Sequence, residues 1–288
     1  MPTVKTAVIL DAGKGTRLWP YAQIRSKGML PVSGKPLLRH LVASLRRIGI
    51  EETVIVGGAF AQQVKHAFRL EPDVRVVEDA TARGAAFSLL AAKAALGAAA
   101  EQGFLALYSD TLVTEPDLAA LKAAFEAQGE PTALLSPLHP PVIPDVPLPA
   151  RRSCDHIVCS IENGCVAEIL GHPREEGSHS FAGFAFSDAV FPALAANAGR
   201  FTQTEVGMMP PLEGFIEATL ADLIAQGERV LAVEAEAHVV DIDKPWQILE
   251  ANFFLNMLRC TGLRGNTLAE GASIHPSAAI AGNVQLGE

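Results

Sequence analysis

Residues 9 to 32 read ILDAGKGTRLWPYAQIRSKGMLPV, a stretch whose small and cationic residues are spaced for work on an anion. Gly13-Lys14-Gly15-Thr16-Arg17 puts two flexible residues beside cations, after an apolar β-branched run and ahead of a helical pattern. Backbone amides in such a turn can converge on phosphate oxygens, and the Arg17 fork can neutralise them. Lys27 follows ten residues after Arg17, in a segment with no apolar reason to hold it. The loop is neither G-x-x-x-x-G-K-[ST] nor G-x-G-x-x-G, because position 18 is leucine. One residue is out of keeping: Asp11, a carboxylate at the mouth of an anion loop. A further acid, Asp110, closes the apolar run FLALYSD (104–110), at the carboxyl end where ligands of open α/β sheets collect.

These residues need elements to position them. The run 3–10 reads as a buried strand stopped by Gly13 and Gly15, and LLRHLVASLRRIG (37–49) has helical apolar spacing ending at glycine. Strands follow at 52–58, 74–79 and 104–110, with helices at 61–70 and 85–100 between them. That alternation predicts an α/β fold with a Rossmann-like, mixed but mostly parallel sheet flanked by helices. The proline-rich SPLHPPVIPDVPLPARR (136–152) reads as an exposed excursion. Beyond it lie a hairpin over 156–169 turning at Asn163-Gly164, a strand over 181–186 and a helix over 215–227. Strands at 229–236 and 238–242 and a helix over 244–259 follow. In SIHPSAAIAGNVQLGE (273–288), Ile274, Ile280 and Leu286 recur in hexads, the pattern of opening turns of a left-handed β-helix.

The composition narrows the function classes. A formal charge of −9 argues against a nucleic-acid binder, so any anion site must be local. No apolar run is long enough for a membrane span and the N-terminus lacks a signal-peptide pattern, so a cytoplasmic protein with no membrane partner is expected. The four cysteines include no CxxC pair, and Cys154, His156, Cys159 and Cys165 match no usual zinc spacing. Reduced thiols are the simpler reading.

Taken together, LDAGKGTRLWP, SKGMLPV and GKPLL resemble the signature of sugar-1-phosphate nucleotidylyltransferases. The resemblance continues through RGAA (83–86), similar to the family's base-reading turn, YSDTLV at its metal-binding strand end, and VVDIDKPWQILEAN near the end of the domain. It covers about residues 3 to 258. It implies a catalytic domain over 1–262 and, over 263–288, a linker and the first hexapeptide-like turns of a β-helix, a tail that would pack on the domain or drive homo-oligomer formation.

The implied reaction joins a nucleoside triphosphate (NTP) to a sugar 1-phosphate, giving a nucleotide-sugar and pyrophosphate. The attacking phosphate is already ionised, so catalysis should be positioning and charge neutralisation. The resemblance assigns Arg17 and Lys27 as catalytic cations, on the β,γ- and α-phosphates. It assigns Leu10, Asp11, Ala12, Gly13, Gly15, Thr16, Arg83 and Gly84 to the nucleotide, and Asp110 and Asp241 to Mg²⁺. Asp243 stands where the family usually has glycine and could compete for the metal. On the acceptor side the match thins: Glu168, His172 and Gly183 are the candidate sugar-phosphate residues, with His172 in place of a usual lysine and His156 in place of a usual glycine. Asp11 either reads a donor edge of the base or ribose, or turns away to cap a neighbouring turn. Two other readings fit the same residues: a regulator that binds nucleotides or nucleotide-sugars without turnover, and a cytidylyltransferase acting on a non-sugar phosphate such as phosphocholine, which would need an aromatic cage.

Overall fold

The computed structural model describes residues 2–79, 81, 83–138, 156–171, 177–197, 213–261, 263–280 and 284–287. The first apolar run forms β1 (Thr6–Asp11), buried along its whole length. The loop after it is carried by single 3-10 turns, among them Thr16–Leu18 and Lys27–Met29, and by the antiparallel pair β2 (Pro31–Val32) and β3 (Lys35–Pro36). α1 (Leu37–Arg47) buries Leu37, Leu38, Leu41, Val42 and Leu45 on one stripe. β4 (Glu52–Gly57), α2 (Ala61–Ala67) and β5 (Val74–Glu78) follow as expected. The single helix expected over 85–100 is two, α3 (Ala85–Leu96) and α4 (Ala99–Gln102), because Gly97 at φ 52°, ψ −136° leaves helical geometry.

β6 (Phe104–Tyr108) and β7 (Thr111–Leu112) lead into α5 (Glu115–Gln128) and β8 (Thr132–Pro137), two elements not assigned from the sequence. Their signals were local: Thr114 caps α5 with Pro116 in its first turn, and Gly129 closes it in the left-handed region. Ser136 and Pro137 are the end of β8 rather than the start of an excursion, and the rest of that stretch lies outside the described residues. The hairpin is β9 (Val158–Glu162) and β10 (Cys165–Gly171), with Asn163 and Gly164 both at positive φ, as a tight two-residue turn requires. β11 (His179–Phe186), α6 (Val190–Ala196), α7 (Ile216–Ala225), β12 (Leu231–Glu234), β13 (Val240–Asp241) and α8 (Pro245–Cys260) complete the main body. In the tail, β14 (Thr267–Leu268) and β15 (Gln285–Leu286) pair in parallel; among the described residues this pairing does not amount to the expected β-helix.

The nine-stranded sheet runs β5-β4-β1-β6-β11-β8-β12-β10-β9. The expected parallel character holds from β5 to β6. From β11 onward the sheet is mainly antiparallel, with β8–β12 as its parallel pair. Helices α3, α6 and α7 supply the core on one face, and α1, α2 and α5 on the other. A third cluster, including Leu18, Leu30, Val32, Leu37, Leu112, Val240, Ile242, Ala251 and Phe254, ties the glycine loop and the β7–β13 pair to α8. That small core fixes the site, since it anchors the loop and both candidate metal strands to one helix. Among the described residues no helix is long and apolar enough to cross a membrane.

Candidate active site

A cavity of about 760 Å³ opens at the carboxyl ends of β1 and β6, lined by Leu10, Ala12, Gly13, Gly15, Thr16, Arg17, Lys27, Arg83, Gly84, Asp110 and Asp241 among others. Most residues assigned to the nucleotide and the metal therefore meet in one place. Gly15 sits at φ 63°, ψ 30°, and a methyl there would lie 2.9 Å from Ala22 Cβ and 3.0 Å from Lys27 Cγ. Glycine is thus required twice, by the backbone and by the aliphatic stem of Lys27 lying against the loop. Gly84 is held at φ 116° with its Cα side against the Gly214 backbone, and Gly214 N–H donates to Arg83 O at 2.6 Å.

Lys27 Nζ donates to Asp110 Oδ2 at 2.8 Å and to Asp243 Oδ1 at 3.1 Å, while Arg17 Nη1 is 2.8 Å from Asp243 Oδ2. Burial opposes charge on Lys27, but the carboxylates of Asp110, Asp243 and Asp241 outweigh it and hold the ammonium well above the usual lysine range. It stays a cation at any working pH. Asp243, marked in the sequence as a departure, engages both candidate cations, Arg17 and Lys27. Gln247 Oε1 fixes its backbone by accepting from the N–H groups of Asp243 and Lys244 at 2.8 and 2.7 Å.

β7 and β13 explain how acids far apart in the chain come together. Asp241 stands opposite Thr111, and Ile242 N–H donates to Asp110 O at 2.8 Å. His156 Nδ1 lies 3.6 Å from Asp241 Oδ2. Among the described residues no cluster of three or more His, Cys, Asp or Glu side chains forms a cage for a metal. Two carboxylates at adjoining strand ends, open to a cavity, nevertheless fit Mg²⁺, which takes one or two carboxylates and completes its shell with water and phosphate oxygens.

Three assignments are corrected by geometry. Asp11 does not line the cavity: its carboxylate turns inward, 3% exposed, and Oδ1 accepts from Gly28 N–H at 3.0 Å. It braces the turn that carries Lys27. Burial raises its pKa from 3.8 to about 6, against the pull of the nearby Ser109 and Ser26 hydroxyls and the Gly28 amide. Glu168 is exposed on β10 and Gly183 packs against Leu107, and neither lines the cavity. His172 lies outside the described residues, as does Cys154 of the rejected zinc grouping; Cys159, Cys165 and Cys260 are free thiols.

The cavity is also lined by residues the sequence did not single out for it. Tyr108, Ser180, Phe181, Phe215 and Glu217 line it, together with His156. Tyr108 O–H donates to Glu217 Oε1 at 2.6 Å, across 109 residues of chain. The sequence signal was a glutamate in the first turn of a largely apolar helix.

Comparison with known proteins gives a consistent answer. The bifunctional protein GlmU of Methanococcus maripaludis strain C7 is 28% identical over 261 residues, covering 88% of this chain and 55% of that protein. GlmU of Xanthobacter autotrophicus is 36% identical over 129 residues, 44% of this chain and 28% of that one. The chain spans about half the length of the first of these relatives. Among solved structures, UDP-glucose pyrophosphorylase complexed with UDP-glucose superposes with a TM-score of 0.71 at 16% identity, covering 89% of this chain and 100% of that one. The inositol-1-phosphate CTP transferase of T. maritima gives 0.67 at 16% identity, covering 87% of this chain and 96% of that one. These structures share the fold, that of the nucleotide-diphospho-sugar transferases. A family match runs from residue 7 to residue 204, through the glycine loop, Lys27 and Asp110, and by it this chain belongs to the nucleotidyltransferases of the MobA-like NTP transferase domain family.

Proposed function

We propose that the chain transfers a nucleotidyl group from an NTP to a sugar 1-phosphate in the cytoplasm, releasing pyrophosphate and a nucleotide-sugar. The observation that carries this reading is the position of Lys27, a permanent cation partly buried at the mouth of the glycine loop and bonded to Asp110. A regulator that only binds nucleotide has no need of a partly buried lysine between acids, whereas in-line attack of one phosphate on another requires charge neutralisation at the α-phosphate.

In this reading the amides around Gly13 and Gly15, with Arg17, hold the β- and γ-phosphates. Lys27 faces the α-phosphate, and the Arg83–Gly84 turn lets the base approach the backbone. Asp110 and Asp241 would hold Mg²⁺, which when bound neutralises phosphate oxygens and aligns the attacking and leaving groups. No side chain is needed as general base. Arg17 and Lys27 must share their charge between Asp243 and the incoming phosphates, so Asp243 limits how tightly the triphosphate is held.

A pyrophosphate-release screen of the common NTPs against a panel of sugar 1-phosphates with Mg²⁺ tests the reading. Release from at least one pair is expected. Binding of nucleotide-sugars with no release from any pair would make the protein a sensor. The rings of Tyr108, Phe181 and Phe215 beside the Glu217 carboxylate favour a second reading, a phosphate ester of a quaternary amino alcohol such as phosphocholine, so phosphocholine with CTP belongs in the same screen.

A further inference from the structure

Glu217 is a buried acid in the cavity wall. It lies in the first turn of α7, is 3% exposed, and lines the cavity. Its Oε1 is satisfied by Tyr108, but Oε2 has no partner among the described residues. A buried carboxylate with one unmade bond destabilises a fold, and an apolar residue of similar volume would serve α7 better. A carboxylate kept at that cost beside a substrate cavity marks a place where a ligand completes the bonding.

Its location says which part of the ligand. Tyr108 is the last residue of β6, two before Asp110 in the turn that follows, so the pair adjoins the candidate metal end. Ile216, the neighbour of Glu217 in α7, shares a core with Cys159 of β9, in the half of the sheet beyond β6 and away from the glycine loop. Burial pushes the Glu217 pKa up and the Tyr108 hydrogen bond pulls it back down. An ionised phosphate gives a carboxylate oxygen no donor and repels it, so the partner sought is a donor on the organic group of the ligand.

We propose that Glu217, held by Tyr108, is a specificity-determining residue whose free oxygen accepts a hydrogen bond from a hydroxyl of the sugar. The assignment rests on the nucleotidyl-transfer reading above. It makes the Tyr108–Glu217 pair the counterpart, on the acceptor side, of what the Arg83–Gly84 turn does for the base.

The test is equilibrium binding by calorimetry of UDP-, dTDP-, CDP-, ADP- and GDP-glucose, each against its own nucleoside diphosphate, and of CDP-choline against CDP. Wild-type protein should bind at least one nucleotide-sugar more tightly than the matching diphosphate. E217A should lose that gain, by about 10- to 100-fold, the range for a hydrogen bond to a charged group, while binding the diphosphate as before. Y108F, which frees the second oxygen, should change the gain less than E217A. A deoxyfluoro sugar lacking the contacted hydroxyl should discriminate wild type but not E217A.

If E217A keeps the full gain, the assignment is overturned while the transferase reading stands. A gain confined to CDP-choline also overturns it, since a quaternary ammonium donates no hydrogen bond. If wild type binds none of these ligands and releases no pyrophosphate, the transferase reading falls and takes the assignment with it. Misfolding is separated by the double variant Y108F/E217L, which leaves no lone polar group and should melt at or above the wild-type temperature while still lacking the gain.

Discussion

The two halves of the sheet solve different problems by different means. From β5 to β6 the strands are parallel, and their carboxyl ends meet the cavity through positive-φ glycines, loop amides and a braced 3-10 turn that carry the Arg17 and Lys27 side chains. From β11 to β9 the sheet is mainly antiparallel, and its contribution is side chains, the rings and hydroxyls of residues 180 and 181 and, above them, Glu217 of α7. A backbone-built site is suited to a group common to every substrate, the polyphosphate. A side-chain-built site can be re-cut without disturbing the loop. On the proposed reading, the division puts shared chemistry in the first half and substrate choice in the second.

The largest effect expected from breaking the first half is at Lys27. K27A should lower kcat by about 10²- to 10³-fold, the scale for removing one fixed charge donor, with a small change in nucleotide affinity. Single-turnover rates together with nucleotide titrations measure the two separately. The loss should be equal for every accepted sugar phosphate, and a loss that varied with the acceptor would break the division. D110N should come next. It removes a candidate metal oxygen, so the Mg²⁺ concentration for half-maximal pyrophosphate release should rise by about tenfold or more. An unchanged Mg²⁺ dependence would take Asp110 out of the metal site.

Asp11 gives a sharper test, in stability rather than rate. Its folded pKa, about 6, lies above the ordinary 3.8, so the fold favours the protonated acid. Ionisation therefore costs the folded state nothing below pH 3.8, and the cost is complete above pH 6. D11N keeps a carbonyl for the Gly28 amide and removes that cost. It should be more stable than wild type by up to about 3 kcal/mol at pH 7.5, with the difference vanishing near pH 4. Urea unfolding at both values measures it. Equal stability of the two proteins at pH 7.5 would mean that the carboxylate is not strained there. The smallest effect belongs to D243A, which frees Arg17 and Lys27 from a shared acid and should tighten triphosphate binding by about fivefold. Weaker binding in D243A would show that Asp243 positions the cations rather than competing for them.

The same division governs what was legible in the sequence. Gly13, Gly15, Arg17 and Lys27 sit in one short stretch, and they pointed to phosphate chemistry once the SKGMLPV and GKPLL segments and the resemblance were read with them. Asp110 and Asp241 were legible as strand ends, because FLALYSD stops at an acid and HVVDI carries one next to its last residue. Asp11 was legible as unusual but not in direction, since its partner is the amide of Gly28, 17 residues on. Tyr108 and Glu217 were invisible as a pair: one reads as a strand residue, the other as a helix residue, and only the fold closes 109 residues between them. Glu168 and Gly183 failed for the related reason that strand position says little about which face reaches a cavity.

The contact between Gly15 and the stem of Lys27 has a consequence for how this site can change over time. Because a methyl at position 15 would press on both Ala22 and Lys27, these positions share one small volume and cannot drift independently. A larger residue in one requires a smaller neighbour or a moved lysine, so an inherited change at the loop arrives either with a compensating change or with a damaged catalyst. The loop is held to its present residues by its own lack of room.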